Sequence, residues 1–157
     1  MKKISHISLG ILSAVLFNTP ITTSILGSLA PDLDVKWSKP NVNRGLLGSH
    51  RGITHHLIIA FFLLFSLFLI KNIWYKGFVI GYISHLFGDL LTMTGIPYWK
   101  HKDRISLKLF KTGDLFEYVF LFLLFLVIIT ISVYSAGPTS VLPFELQLAF
   151  QVLLQKD

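Results

Sequence analysis

Apolar residues fill five stretches of the chain: Ile4 to Phe17, Ile21 to Ala30, Ile53 to Ile70, Gly77 to Thr94 and Leu115 to Tyr134. Each ends at a polar residue, a proline or a glycine. The first two, parted by Pro20, each fall short of the roughly 20 residues that cross a bilayer. They predict a short or re-entrant helical hairpin over residues 4–30, which returns His6 and the Pro31-Asp32-Leu33-Asp34 turn to the same side. If residues 4–30 instead crossed as one broken helix, His6 would lie on the opposite side. Residues 53–70, 77–94 and 115–134 predict three transmembrane helices; the last is the clearest, carrying one charge, Glu117, near its start. Residues 143–155 have apolar positions at helical spacing and predict an amphipathic tail. The expected fold is all-α, a helical integral membrane bundle forming a single domain over residues 1–157.

Composition supports that reading. Hydrophobic residues make up 53% of the chain and charged residues only 14%, and the mean hydropathy of +0.67 is too high for an ordinary soluble domain. The net charge of +6 comes from Lys and Arg that flank the apolar segments, which points to anionic headgroups and topology rather than to nucleic acid. Lys36, Lys39, Arg44 and Arg51 crowd residues 35–52, and a second basic stretch covers residues 97–114, so both loops are expected on the cytoplasmic side. Lys2 and Lys3 before an apolar run suggest a signal peptide. His6 interrupts that run, however, and Asn18-Thr19-Pro20 is a poor cleavage site, so the segment is expected to be retained. The chain has no cysteine, which excludes disulfides, thiolate metal sites and cysteine nucleophiles.

The chemistry lies in ionisable residues placed in or beside the apolar segments, where each costs about 2.5–3.5 kcal/mol to insert. His85 and Asp89 are four apart and share one helix face, as two ligands of a metal would or as a buried hydrogen-bonded pair would. His50 and His55 stand in His50-Arg51-Gly52-Ile53-Thr54-His55-His56, at the entrance of a helix. With His6, Asp32 and Asp34 they bring more His and Asp ligands to one end of the bundle than a single ion needs. Arg51 offers a guanidinium fork for a phosphate or carboxylate, or a headgroup anchor. Glu117 could be a general base, a ligand or a favourable charge at a helix N-terminus, and Thr54 and Thr92 could orient ligands. There is no glycine-rich phosphate loop, no Gly-x-Ser-x-Gly elbow and no His-Glu-x-x-His motif.

With those residues in view, the chain resembles the family of inner-membrane-associated metal-dependent hydrolases also described as LexA-binding. The resemblance rests on His6, on Leu29-Ala30-Pro31-Asp32-Leu33-Asp34, on His50-Arg51-Gly52-Ile53-Thr54-His55, and on Gly81-Tyr82-Ile83-Ser84-His85-Leu86-Phe87-Gly88-Asp89 followed by Leu91-Thr92. The last two pieces are specific, and Gly113 with Glu117 looks like a weaker continuation. In the family motif His55 rather than His56 is the matching position. The resemblance implies a multi-pass protein of the bacterial inner membrane with a His/Asp metal site, and a LexA-like regulator as a partner. The ligand pattern is also distantly similar to that of the zinc-dependent phospholipase C and P1 nuclease group, where a helix carries His-x-x-x-Asp and three zinc ions serve phosphodiester hydrolysis. Gly113 stands where a further His would be expected ahead of Glu117, which puts a full three-metal set in question.

The expectation is therefore a metal-dependent hydrolase, with zinc or manganese held in two or three sites by His6, Asp32, Asp34, His50, His55, His85 and Asp89 at the cytoplasmic face. Arg51 and Glu117 would act on a phosphoester or lipid-linked substrate. Membrane lipids are the expected surroundings, and direct nucleic-acid binding is not expected. The rivals are a non-catalytic metal-binding membrane protein and a regulatory partner-binding protein. A transporter fits less well, because residues 61–70 and 119–131 are nearly all apolar.

Overall fold

The computed structural model describes residues 1–36, 53–98, 103–136 and Leu146. Their helices are α1 (Lys3–Phe17), α2 (Ile21–Leu29), α3 (Leu57–Leu69), α4 (Ile73–Leu91) and α5 (Leu115–Ala136), with 3-10 turns at Ala30–Lys36 and Ile53–His55. A two-stranded antiparallel ribbon pairs β1 (Ile96–Pro97) with β2 (Arg104–Ile105). The protein is an all-α, membrane-type fold. The expected tail over residues 143–155 lies outside the described residues except for Leu146.

Asn18 takes a left-handed conformation (φ 47°) and Pro20 precedes α2, so the chain reverses between α1 and α2. The two helices pack antiparallel: a Cβ on Gly10 would meet Ser24 and Ser28 of α2. Against α4 the approach of α2 is closer still. A Cβ on Gly81 would lie 1.9 Å from the Ser24 carbonyl oxygen, and one on Gly27 would lie 2.0 Å from the Phe78 carbonyl oxygen. Only glycine permits that backbone contact, and the pairing of Ser24 with Gly81 and Ser28 with His85 makes α2 and α4 parallel.

Helix boundaries differ from the expected segments for local reasons. The 53–70 stretch begins with a 3-10 turn, and α3 starts only at Leu57, after His56 accepts the Ile58 N–H on Nδ1. At 13 residues it rises about 20 Å, too little to span a bilayer upright. The stretch expected at 77–94 starts earlier, at Ile73, because the Asn72 side chain caps Trp74 and Tyr75 at 2.9 and 3.1 Å. It ends at Leu91 because Thr92 turns extended. Among the described residues one helix is long and apolar enough to cross a membrane, Leu115–Tyr134 in α5.

Only 17% of that span is buried, whereas a core helix of a water-soluble protein would be mostly covered. Phe61, Phe62, Phe65 and Phe68 of α3 and Leu115, Phe116 and Phe122 of α5 are likewise exposed. Such a continuous apolar surface calls for lipid rather than water. Two small clusters hold the interior: Met1, Leu9, Leu91, Phe110 and Leu121 tie α1, α4 and α5 together, and Ala60, Tyr82, Leu86 and Ile96 join α3 to α4. The antiparallel hairpin and the parallel α2–α4 pair bring the start of α1, the end of α2, the entrance of α3 and the end of α4 to one end of the bundle.

Candidate metal centre

Four side chains converge at that end. His85, on the last turns of α4, has Nε2 3.1 Å from Nε2 of His55, which the 3-10 turn before α3 delivers. Asp89, one turn after His85, places Oδ2 3.6 Å from His55 Nε2 and 3.7 Å from His85 Nε2. Asp32, on the turn after α2, places Oδ1 3.8 Å from each of the same two nitrogens. His55, His85 and Asp89 are at most 1% exposed, and Asp32, at 14%, is the member that faces outward.

Hydrogen bonding fixes which ring nitrogens can ligate. His85 Nδ1 lies 2.6 Å from the Ser28 carbonyl oxygen, which only accepts, so Nδ1 carries the proton and Nε2 presents a lone pair. The Thr54 hydroxyl donates to the Pro31 carbonyl at 3.0 Å and stands 3.1 Å from His55 Nδ1, so it accepts there and leaves His55 Nε2 as a second lone pair. Two neutral imidazole acceptors facing each other at 3.1 Å, with two carboxylate oxygens beside them, repel unless a cation lies between. Ligands around a tetrahedral zinc at 2.0–2.1 Å are about 3.3–3.4 Å apart, close to the separations seen here. The chemistry of this donor set fits a divalent metal, and the partners of His85 and His55 are the outer hydrogen bonds that such ligands require.

His6 joins from α1. Its ring stacks on that of His85 with centroids 3.6 Å apart, and its Nε2 is 3.5 Å from Asp89 Oδ1. The two oxygens of Asp89 thus face different groups: Oδ2 faces His55 and His85, while Oδ1 faces His6 and the Met1 amino group, which is 2.6 Å away. His6 is 1% exposed and its Nδ1 has no hydrogen-bond partner. The unpartnered nitrogen faces Gly88 of α4, where a Cβ would lie 3.6 Å from it, while the opposite ring nitrogen is the one turned to Asp89.

The structure therefore brings together five of the expected ligands: His6, Asp32, His55, His85 and Asp89. His50 and Arg51 lie outside the described residues, and for Asp34 only the backbone, in the 3-10 turn, is described. Glu117 belongs to neither group of clustered ligands. Its carboxylate is fully buried and receives the Lys2 N–H at 3.1 Å, the Gly113 N–H at 2.7 Å and the Ser5 hydroxyl. His56 serves as the cap of α3, and Thr92 bonds back to the Asp89 carbonyl at 2.8 Å. Sequence reasoning missed Ser28, whose contribution is a backbone carbonyl, and Tyr82, whose hydroxyl donates to the Thr54 carbonyl and steadies the His55 turn.

Comparison with known proteins places this geometry in context. The family described as YdjM inner membrane protein matches residues 1–154. The inner membrane protein YdjM of Escherichia coli (strain K12) is 33% identical over 93 residues, covering 49% of this chain and 46% of that protein, and YdjM of Shigella flexneri gives the same values. The alignment thus spans about half the length of the curated relatives. No solved structure matches.

Proposed function

The chain belongs to the YdjM inner membrane protein family, and from that premise we propose that it is a metal-dependent hydrolase embedded in the bacterial inner membrane, acting on a phosphoester or lipid-linked substrate. The observation that carries the reading is the meeting of His55 Nε2, His85 Nε2, Asp32 Oδ1 and Asp89 Oδ2 around one point, with both imidazoles held in the ligating tautomer.

A bound zinc or manganese ion would supply Lewis acidity and a nucleophile at neutral pH. The chain's own groups do the rest. His55, His85, Asp32 and Asp89 would hold the ion; Ser28 and Thr54 fix the imidazoles in the orientation that binding would need. His6, Asp32 and His85 form a second cluster that would hold a further ion. Asp32 marks the open side of the centre, where substrate would enter. Arg51, three residues before Thr54, is suited by its fork of donors to grip an anionic substrate group.

Support for a lipid-linked substrate comes from a cavity of about 450 Å³ between α1, α3, α4 and α5. Leu9, Leu12, Ile80, Ile83 and Phe87 line it. Its lining includes Leu9, about one turn along α1 from His6, and Phe87, which lies on α4 between His85 and Asp89 in sequence. The test is a screen of lipid phosphates and soluble phosphoesters with purified, zinc- or manganese-loaded protein beside Asp89→Ala. Hydrolysis by the loaded wild type and none by the variant is the expected result. Stoichiometric metal without hydrolysis of any phosphoester would favour a non-catalytic metal-binding protein.

A further inference from the structure

Glu117 is a buried acid that accepts three hydrogen bonds, and it stands outside the His/Asp cluster. It lies in the first turn of α5, fully buried, and its partners belong to two other segments. Oε1 accepts the backbone N–H of Lys2 at 3.1 Å and the hydroxyl of Ser5, and Oε2 accepts the N–H of Gly113 at 2.7 Å. Lys2 is the N-cap position of α1 and has no side-chain cap of its own. The carboxylate from α5 therefore does for α1 what the N3 glutamate of a capping box does, accepting the N–H of the cap residue and placing a negative charge at the positive end of the helix. Gly113, with φ +83° and its Cα side packed against the Lys2 stem, lets the loop come close enough for this contact.

One turn beyond Lys2, bonded to its carbonyl through a 3.2 Å backbone hydrogen bond, is His6. His6 stacks on His85 and points its Nε2 at Asp89 Oδ1, the oxygen that the Met1 amino group, just before Lys2, also bonds at 2.6 Å. We propose that Glu117 is a positioning residue, which clamps the first turn of α1 to α5 and thereby sets the His6 ring over His85 and Asp89. It acts through His6 and is neither a metal ligand nor a proton carrier. This inference rests on the metal-centre reading for its consequence, but the clamp itself can be tested without metal.

The experiment is histidine footprinting with diethyl pyrocarbonate on the full chain in detergent after chelation, comparing wild type with Glu117→Gln and Ser5→Ala. Glutamine keeps the shape but turns one acceptor into a donor facing a backbone N–H, so the clamp opens while the rest of the bundle stays in place. Losing a hydrogen bond to a buried charge shifts such an opening by about ten- to a hundredfold. His6 modification should rise by about that factor in Glu117→Gln and by less in Ser5→Ala, with His55 and His85 still protected. Equal His6 rates in wild type and Glu117→Gln would overturn the proposal, as would uniform exposure of His6, His55 and His85 in the milder Ser5→Ala. A second arm measures zinc affinity in a double-mutant cycle. Glu117→Gln should weaken binding in the wild-type background and add nothing when His6 is already alanine; a full additional loss would contradict action through His6. A wild type that binds no zinc would sink the metal-centre reading while the footprint still decides the clamp.

Discussion

Replacing Gly81 with alanine puts a methyl group where α2 and α4 leave no room. The new Cβ would lie 1.9 Å from the Ser24 carbonyl oxygen and 2.7 Å from the carbonyl carbon, and backbone atoms cannot rotate away. The helices must part by roughly 1 Å, a form of overpacking that costs about 1–3 kcal/mol. The consequence for the centre follows from the parallel alignment of the pair. One turn further along each helix, His85 Nδ1 bonds the Ser28 carbonyl at 2.6 Å. A rigid separation of about 1 Å carries that contact beyond hydrogen-bond range and frees the imidazole to turn. Loss of such an outer partner typically weakens metal binding by about 10- to 100-fold. Competition against a zinc chelator with purified Gly81→Ala should show that loss. Gly10→Ala, whose Cβ would meet first the Ser28 hydroxyl at 2.7 Å, should lose less because its closest backbone atom is 3.1 Å away. Unchanged zinc affinity in Gly81→Ala would refute the claim that the α2–α4 contact sets the geometry of the centre.

Other expectations test separate parts of the account. Thr54→Val removes the hydroxyl that fixes His55, and chelator competition should show zinc affinity down by about 10- to 100-fold with the fold intact by circular dichroism. Asn72→Ala removes the cap of α4 at the opposite end and should cost about 1 kcal/mol in denaturant titration while leaving metal content per chain unchanged. Asp32→Asn keeps the shape of the exposed member and removes its charge; zinc affinity should fall while the protein remains folded, and retained affinity would show that Asp32 is not a ligand.

Much of this architecture is legible in the residues themselves. Pro20 between two short apolar runs announces the reversal that returns His6 to Asp32, and the four-residue spacing of His85 and Asp89 places both on one helix face. Boundaries were less accessible. Ile73–Lys76 carries Trp, Tyr and Lys and looks like a turn, yet Asn72 caps it into α4; His56 shortens α3 by the same device. Partners far apart in sequence were not readable at all. Glu117 stands out as a charge in an apolar helix, but its contacts with Lys2 and Ser5 cross 115 and 112 residues. The Ser28 carbonyl leaves no mark in the sequence, because any residue type supplies one. The close approach of Gly27 and Gly81 could be suspected from their size, but which helices they join depends on the fold.

The central claim is that His55, His85, Asp32 and Asp89 bind a divalent metal. Elemental analysis of detergent-purified protein, run beside His85→Ala and expressed as ions per chain, tests it most directly. The account predicts at least one stoichiometric zinc or manganese ion in the wild type and its loss in the variant. A wild type without bound metal, or an ion retained in full by His85→Ala, would contradict it.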